Sequence, residues 1–450
     1  MQRLRTLLGA TGPRALLSDG RLAQSVLPAR DRPAQGWDVD ADGFAAVDLL
    51  IEDGRIAALR PHQAGMEGLG LGGALLWPGF VDAHTHLDKG HIWARRRNPD
   101  GTHAGAAAAV AADRRAHWTA DDIARRFAFG LRCAHARGTV AIRTHLDSYE
   151  PDQARTAWEV FETMRRDWAG RIALQGVMMA RLEQYLGEDG EALAALAART
   201  GGCLGGILRI TPHAGETEVD AVDRGLDRLF TLATRFGLDI DLHVDETGDP
   251  AASGLRAVAR AALRHRFGGR IACGHCCALS VQDEAMMTET IALAAEARIT
   301  VICLPLANQF LQDRVVGRTP RWRGIAPVHE LRAAGVEVVV ASDNCRDPFY
   351  AFGDHDLADV LRDFARIAHA DLELGAWADS VTRLPAALLG HPPLAIGAPA
   401  DLVVMAARSA SEFLARPGAE RVVLRAGQVL DAALPDYETL DDLSGQTAGA

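Results

Sequence analysis

His84-Thr85-His86 closes an apolar run, Leu75-Leu76-Trp77-Pro78-Gly79-Phe80-Val81-Asp82-Ala83. Such a run, bounded by Pro and Gly, reads as a buried strand. Residues two apart on a strand point the same way, so both imidazoles leave its C-terminal end on one face. Neutral imidazoles are good ligands for a divalent ion, and the pair is half of a metal site. Alone the pattern says little; other runs supply the rest. His243-Val244-Asp245-Glu246 ends another apolar stretch, Ser342-Asp343-Asn344 a third, and Arg143-Thr144-His145-Leu146-Asp147 and His275 two more. His84, His86, His243 and Asp343 make three imidazoles and a carboxylate, a ligand set suited to one Zn or Fe(II) ion. A water completing that set has its pKa drawn toward neutrality. Glu246 lies past its strand end, where it reaches a substrate without binding the ion. Asp343 can take the water's proton while still holding the metal.

These groups need a scaffold that brings distant strand ends together. From about residue 75 the chain alternates β-rich runs with longer Ala/Leu/Arg-rich segments of helical spacing. Strands are expected near 77–84, 140–145, 172–178, 205–210, 240–244, 271–273, 300–304 and 336–341, with helices such as 121–137, 152–168, 219–236 and 283–297 between them. Such repeats predict an α/β fold, a (β/α)8 TIM barrel whose chemistry sits at the C-terminal ends of the strands. A doubly wound sheet is the competitor, but no Gly-rich dinucleotide loop follows the first strand. Residues 44–60 alternate around an Asp53-Gly54 hairpin signal, and 400–405 and 421–427 look similar. The expected division is a barrel over 75–392 and a small β-sandwich built from 1–74 and 393–450. The polar last dozen residues read as loose.

A net charge of -11 argues against nucleic acid or an anionic membrane as a general partner. No run of about 18 apolar residues suggests a membrane span, and the Arg-containing first 17 residues lack an apolar stretch of signal-peptide length. The odd count of seven cysteines, several inside strands, reads as reduced buried packing; Cys273-Gly274-His275-Cys276-Cys277 lacks a second cysteine pair for a zinc knuckle. A small-molecule substrate, a cytoplasmic location and a homo-oligomer are therefore expected. Among the remaining candidates, His145 reads as a residue behind the ligands and His213 as either a loop residue or a site residue. His91 and His135 read as solvated or on a helix surface, and Asp88 and Lys89 as a local ion pair. Lys89 does not read as a carbamylated metal bridge, which belongs on a mid-barrel strand.

Taken together, residues 78–89, Arg143-Thr144-His145, His243-Val244-Asp245-Glu246 and Gly274-His275 resemble the amidohydrolase superfamily, within it the cytosine deaminase branch. Leu304-Pro305-Leu306-Ala307-Asn308, Leu311-Gln312-Asp313-Arg314, Arg323-Gly324-Ile325 and 342–348 extend the likeness over nearly the whole chain. The resemblance implies one divalent metal on His84, His86, His243 and Asp343. It implies that Glu246 shuttles protons and that His275 steadies the attacking oxygen or the tetrahedral intermediate. The implied reaction is hydrolytic deamination of an amino-substituted pyrimidine or related N-heterocycle such as cytosine or 5-methylcytosine. Water attacks the ring carbon that bears the amine, Glu246 protonates the ring nitrogen and then the leaving amine, and ammonia departs.

Two departures bear on substrate. Where the branch carries a glutamine that grips the pyrimidine amide edge, this chain has Arg181, counting back from Gly190-Glu191-Ala192-Leu193; a slip of a few residues would make it Gln184. Arginine only donates, which favours acceptors, an oxo group or a carboxylate. Asn344 stands where the branch has a second aspartate, which changes what fits near the ring's 5-position. Asp347 and Phe349, just downstream, complete the expected substrate contacts. A sibling reading is amine removal from an s-triazine ring or other cyclic amidine, since those hydrolases share the HTHxDK and SDNxRD patterns. The rival from another class is a barrel that has kept the fold and lost catalysis.

Overall fold

The computed structural model describes residues 2–9, 12–27 and 37–444. They form two compact units, one drawn from the described residues within 83–131, 142–354 and 436–444, the other from those within 2–82, 132–141 and 355–435.

An eight-stranded parallel sheet runs in chain order through β1 (Phe80–Thr85), β2 (Thr139–Asp147), β3 (Ala173–Arg181), β4 (Cys203–Ile207), β5 (Ile240–Val244), β6 (Ile271–His275), β7 (Ile299–Cys303) and β8 (Glu337–Val340). Helices separate the strands, among them His103–His117, Pro151–Asp167, Glu218–Phe236, Gly254–His265 and Glu284–Glu296. The result is the expected (β/α)8 barrel. Helix-covered parallel strands are buried on both faces, and β5, β6 and β7 are buried at every position. β7 reads as a nearly continuous apolar run, whereas β5 alternates because Asp241 and His243 point into the barrel. The helices carry ordinary stop and start signals: the Thr217 side chain accepts from Asp220 N and Gly237 ends Glu218–Phe236 with φ 65°. On β4 the neighbouring strands approach too closely for a side chain: a Cβ on Gly205 would stand 2.0 Å from Asp241 O. Gly206 has φ 133°, and a Cβ there would stand 1.9 Å from Ala180 O.

The barrel is closed at the site end. Thr85 bridges Asp343 in parallel register. Asp343 N–H donates to His84 O at 2.8 Å, and Thr85 Oγ1 donates to Asp343 O at 2.8 Å. The same bonds that join the last strand to the first set Asp343 beside the histidine pair.

The expected strand at 77–84 is divided at Gly79. Leu75–Pro78 joins a second, mixed sheet of eight strands, in the order Gln428–Val429, Arg421–Arg425, Leu402–Met405, Leu75–Pro78, Arg14–Ala23, Phe44–Glu52 and Arg55–Pro61, with Leu69–Gly70 added beside Arg14–Ala23. The hairpin signal is realised: Asp53 and Gly54 have φ of 48° and 76° and join the pair Glu52 and Arg55. Trp77 anchors this unit, its ring 5.4 Å from Phe413, 5.9 Å from Phe80 and 6.1 Å from Phe44. Of the last dozen residues, those through 444 lie in the helical turns Tyr437–Leu440 and Asp441–Ser444, where Asp442 pairs with Arg125 at 2.6 Å. Residues 445–450 lie outside the described residues. Among the described residues no helix is long and apolar enough to cross a membrane.

Candidate active site

At the C-terminal end of the barrel the structure brings together His84 from β1 and His86 just after it, His145 from β2, His243 from β5, His275 from β6 and Asp343 after β8. Asp343 Oδ1 lies 3.2 Å from His86 Nε2 and 3.7 Å from His84 Nε2. His243 Nε2 lies 3.3 Å from His86 Nε2, and the rings of His84 and His145 are 3.9 Å apart. Burial holds His84, His86, His145 and His243 well below the ordinary imidazole pKa, helped by the neighbouring imidazoles and the positive charge of Lys89. These rings are neutral, with lone pairs available.

An apolar core would not gather such groups. His86 Nδ1, both nitrogens of His145, His243 Nδ1 and His275 Nε2 are buried without hydrogen bonds, a costly state that bound cations relieve. The ligand atoms of His84, His145 and His243, and those of His84, His275 and Asp343, lie within 4.8 Å of one another. Nitrogen and carboxylate oxygen donors so placed fit a divalent transition ion.

The backbone carries a second sign of function. Asp245, His275, Cys276 and Asp343 all have positive φ, from 49° to 70°, at strand ends. A non-glycine residue held there costs on the order of 1–3 kcal/mol, and such strain collects at functional sites. Beside them, a Cβ on Gly274 would meet the His84 ring at 3.0 Å, so the small residue leaves room for a ligand ring.

His275 is oriented from behind. The Asn308 amide Nδ2 lies 2.8 Å from His275 Nδ1. With the amide so assigned it donates to Nδ1 and leaves the ring proton on Nε2, a nitrogen that has no acceptor among the described residues. Deeper in the barrel, Arg143 donates to Asp241 Oδ2 at 2.8 Å and to Gln175 Oε1 at 2.9 Å. Asp241 Oδ1 lies 3.6 Å from His145 Nε2. His145, expected behind the ligands, therefore stands in the cluster and on this ion pair at once.

Glu246 sits at the rim, its side chain 13% exposed. Oε1 is 3.5 Å from His275 Nδ1 and Oε2 is 3.2 Å from His103 Nε2. Burial raises its pKa, but His275 and His103 outweigh that and bring it to about 2. The carboxylate is held ionised.

Arg181 ends β3 with its guanidinium over the Tyr149 ring, 5.1 Å from the centroid. Arg114 faces the same ring at 5.0 Å and pairs with Asp147. Gln184, the alternative, is committed to the backbone: its Oε1 accepts from Arg181 N at 2.8 Å and its Nε2 donates to Ser148 O and Tyr149 O. Asn344 and Asp347 meet each other, the amide donating to Asp347 Oδ2 at 2.7 Å while Oδ1 accepts from Phe349 N and Tyr350 N. Their polar atoms build the loop after β8. Phe349 lies edge-on to His103 with Lys89 Nζ 4.7 Å from its ring centre.

Some expectations are corrected. Asp88 and Lys89 do not pair: Asp88 Oδ2 accepts from Asp147 N at 2.8 Å, and Lys89 turns to the Phe349 ring. His91 is not solvated; its ring packs 4.7 Å from Phe129. His213 is an exposed loop residue, and all seven cysteines are buried and unbridged. His103 and Tyr149 carried no expectation from the sequence; Asn308 and Arg143 stood in the motifs of the resemblance without a role, and the Arg143–Asp241 pair was not expected. Only the last left a signal: Arg143 precedes His145 by two residues and Asp241 precedes His243 by two, so each shares a strand face with a site histidine.

Because protons compete poorly for these rings, the metal affinity of the folded chain should change little between pH 7.5 and 6, where an ordinary imidazole site with pKa near 6.5 already weakens. Chelator competition across that range measures it.

Comparison with known proteins places these residues in context. A model of the amidohydrolase family matches residues 179–431. Pterin deaminase of Rhizobium rhizogenes is 47% identical over 412 residues, covering 90% of this chain and 92% of that protein. N-isopropylammelide isopropyl amidohydrolase of a Pseudomonas species is 25% identical over 80% of this chain and 86% of that protein. Among solved structures, 5-methylcytosine deaminase from Klebsiella pneumoniae liganded with phosphonocytosine superposes with a TM-score of 0.77 at 27% identity, covering 93% of this chain and 98% of that one.

Proposed function

The chain belongs to the amidohydrolase family, enzymes that hydrolyse C–N bonds other than peptide bonds, and we propose that it deaminates an amino-substituted N-heterocycle with the help of one divalent ion, Zn or Fe(II). His84, His86, His243 and Asp343 would hold the ion, with His145 against them. When bound, the ion lowers the pKa of a water and stabilises charge that develops on the substrate. Asp343 and the ionised Glu246 receive the protons of that water. Glu246 then protonates the ring nitrogen and the leaving amine, and ammonia departs. His275 donates from Nε2 to the oxygen that becomes negative at the tetrahedral carbon. The observation that carries this reading is the placement of an ionised carboxylate, Glu246, 3.5 Å from the His275 ring beside a cluster of buried neutral imidazoles.

Within that class the 2-amino-4-oxo ring of a pterin is the first candidate, ahead of cytosine and 5-methylcytosine. The relative with nearly half its residues in common carries that activity in its name. Arg181 supports the choice: a donor-only side chain suits the carbonyl and fused-ring nitrogens of a pteridine better than the mixed edge of cytosine. Phe349 would offer a ring face for stacking, while Asn344 and Asp347 would shape the loop around the substrate.

The test is ammonia release by the metal-loaded protein from pterin, cytosine, 5-methylcytosine and isoguanine, with amine release from N-isopropylammelide measured alongside. Pterin should give the highest kcat/KM. Arg181→Gln should lower the pterin-to-cytosine ratio about 10- to 100-fold, the scale of one charge-assisted hydrogen bond. Isopropylamine release without ammonia release would favour the triazine reading, and no turnover of any ring would favour a barrel without catalysis.

A further inference from the structure

We infer that His103 is a positioning residue for Glu246, reaching in from the segment after β1 to fix the carboxylate from its outer side; this rests on the reading of Glu246 as the proton carrier. Glu246 does not lie on a strand. It follows Asp245, whose φ of 49° turns the chain out of β5, so the barrel framework ends before the residue that must aim a carboxylate. His103 takes up that task. His275 Nδ1 stands 3.5 Å from Oε1 on the inner side but accepts from the Asn308 amide, so it offers that oxygen no hydrogen bond. His103 Nε2 meets Oε2 from outside at the shorter 3.2 Å.

His103 is itself held firmly. It opens the helix His103–His117, whose Thr102 cap accepts from Gly105 N at 3.0 Å. Asp100 Oδ1 in turn accepts from Thr102 N and Oγ1, each at 2.8 Å. Asn98 bridges Thr102 O and Pro348 O at 3.0 Å each, tying this segment to the loop after β8. The His103 ring stands edge-on to Phe349, 5.3 Å between centres. A carboxylate rotated away from its substrate loses rate steeply, since an error of about 1 Å can cost on the order of 100-fold. The His103 side chain remains 49% exposed, and exposed pairs of this kind add little to stability. Removing it should therefore disturb the aim of Glu246 without unfolding the chain.

The experiment is steady-state kinetics of metal-loaded wild type, His103→Ala, His103→Gln, Glu246→Gln and the double variant His103→Ala/Glu246→Gln, on the fastest substrate found for the wild type. His103→Ala should lower kcat about 10- to 100-fold with KM changed less than about threefold, and leave Tm in place. His103→Gln, which can put an amide N–H near the former Nε2, should recover most of the loss. In the Glu246→Gln background, His103→Ala should cost less than about twofold, because what it positions is gone. Wild-type kcat in His103→Ala, a loss confined to KM, or a full multiplicative loss in the double variant would overturn the proposal. If Glu246→Gln turns over like wild type, the reading of Glu246 itself fails, and the positioning proposal falls with it.

Discussion

Glu246→Gln should keep the metal and bind substrate with near-normal affinity, yet lose kcat by roughly 10²–10⁴, the usual worth of a placed general acid–base. Glutamine has the shape of glutamate but cannot carry a proton between the attacking water, the ring nitrogen and the leaving amine. None of the cluster donors is altered: the cluster contacts join Asp343 to His84 and His86, and His86 to His243, while the Glu246 carboxylate lies against His275 and His103. Metal analysis, substrate affinity and kcat measured on one preparation separate the effects. Metal content equal to wild type with kcat near wild type would remove Glu246 from the mechanism. Lost metal would instead move Glu246 into the ligand set.

The barrel was legible in the chain because short, largely apolar or β-branched runs recur between longer helical segments, even where β2 and β5 carry inward-facing charged residues. The cluster was legible because polar titratable residues interrupt those runs at their last positions, and a period of two places His84 and His86 on one side. What stayed hidden is what sequence order does not encode. His103 follows β1 by a loop with no periodic pattern, and only folding brings it to Glu246 across 143 positions. Asn308 hides inside the short helix Pro305–Leu311, where an amide reads as a surface residue, yet it is fully buried against His275. The substrate side was hardest. Asn344 and Asp347 are the residue types that grip a ligand, and also those that build a tight turn by bonding to backbone N–H groups. Spacing does not separate the two uses, whereas the hydrogen bonds from Phe349 N and Tyr350 N to Asp347 do.

The largest stability effect should come from Asp241, not from any residue that meets the substrate. Arg143 and Asp241 are both fully buried, 2.8 Å apart, on β2 and β5. Ion pairs so deep are costly to break because the survivor stays charged in a poor solvent. Asp241→Leu should destabilise the protein by about 3–5 kcal/mol, read from the urea midpoint. Replacing both partners, Arg143→Met with Asp241→Leu, should restore much of that, since no unpaired charge is left. The pH dependence has a definite sign. Burial raises the Asp241 pKa to about 6, with the attraction of Arg143 only partly offsetting it. A carboxyl raised above its ordinary value of 3.8 binds its proton more tightly folded than unfolded, so its contribution falls as pH rises from about 4 through 6. That slope should vanish in the double variant. The pair also underlies the histidine cluster, with Asp241 Oδ1 3.6 Å from His145 Nε2. If the double variant regains stability but binds metal more weakly than wild type, the ion pair is kept for orienting His145 rather than for holding the barrel together.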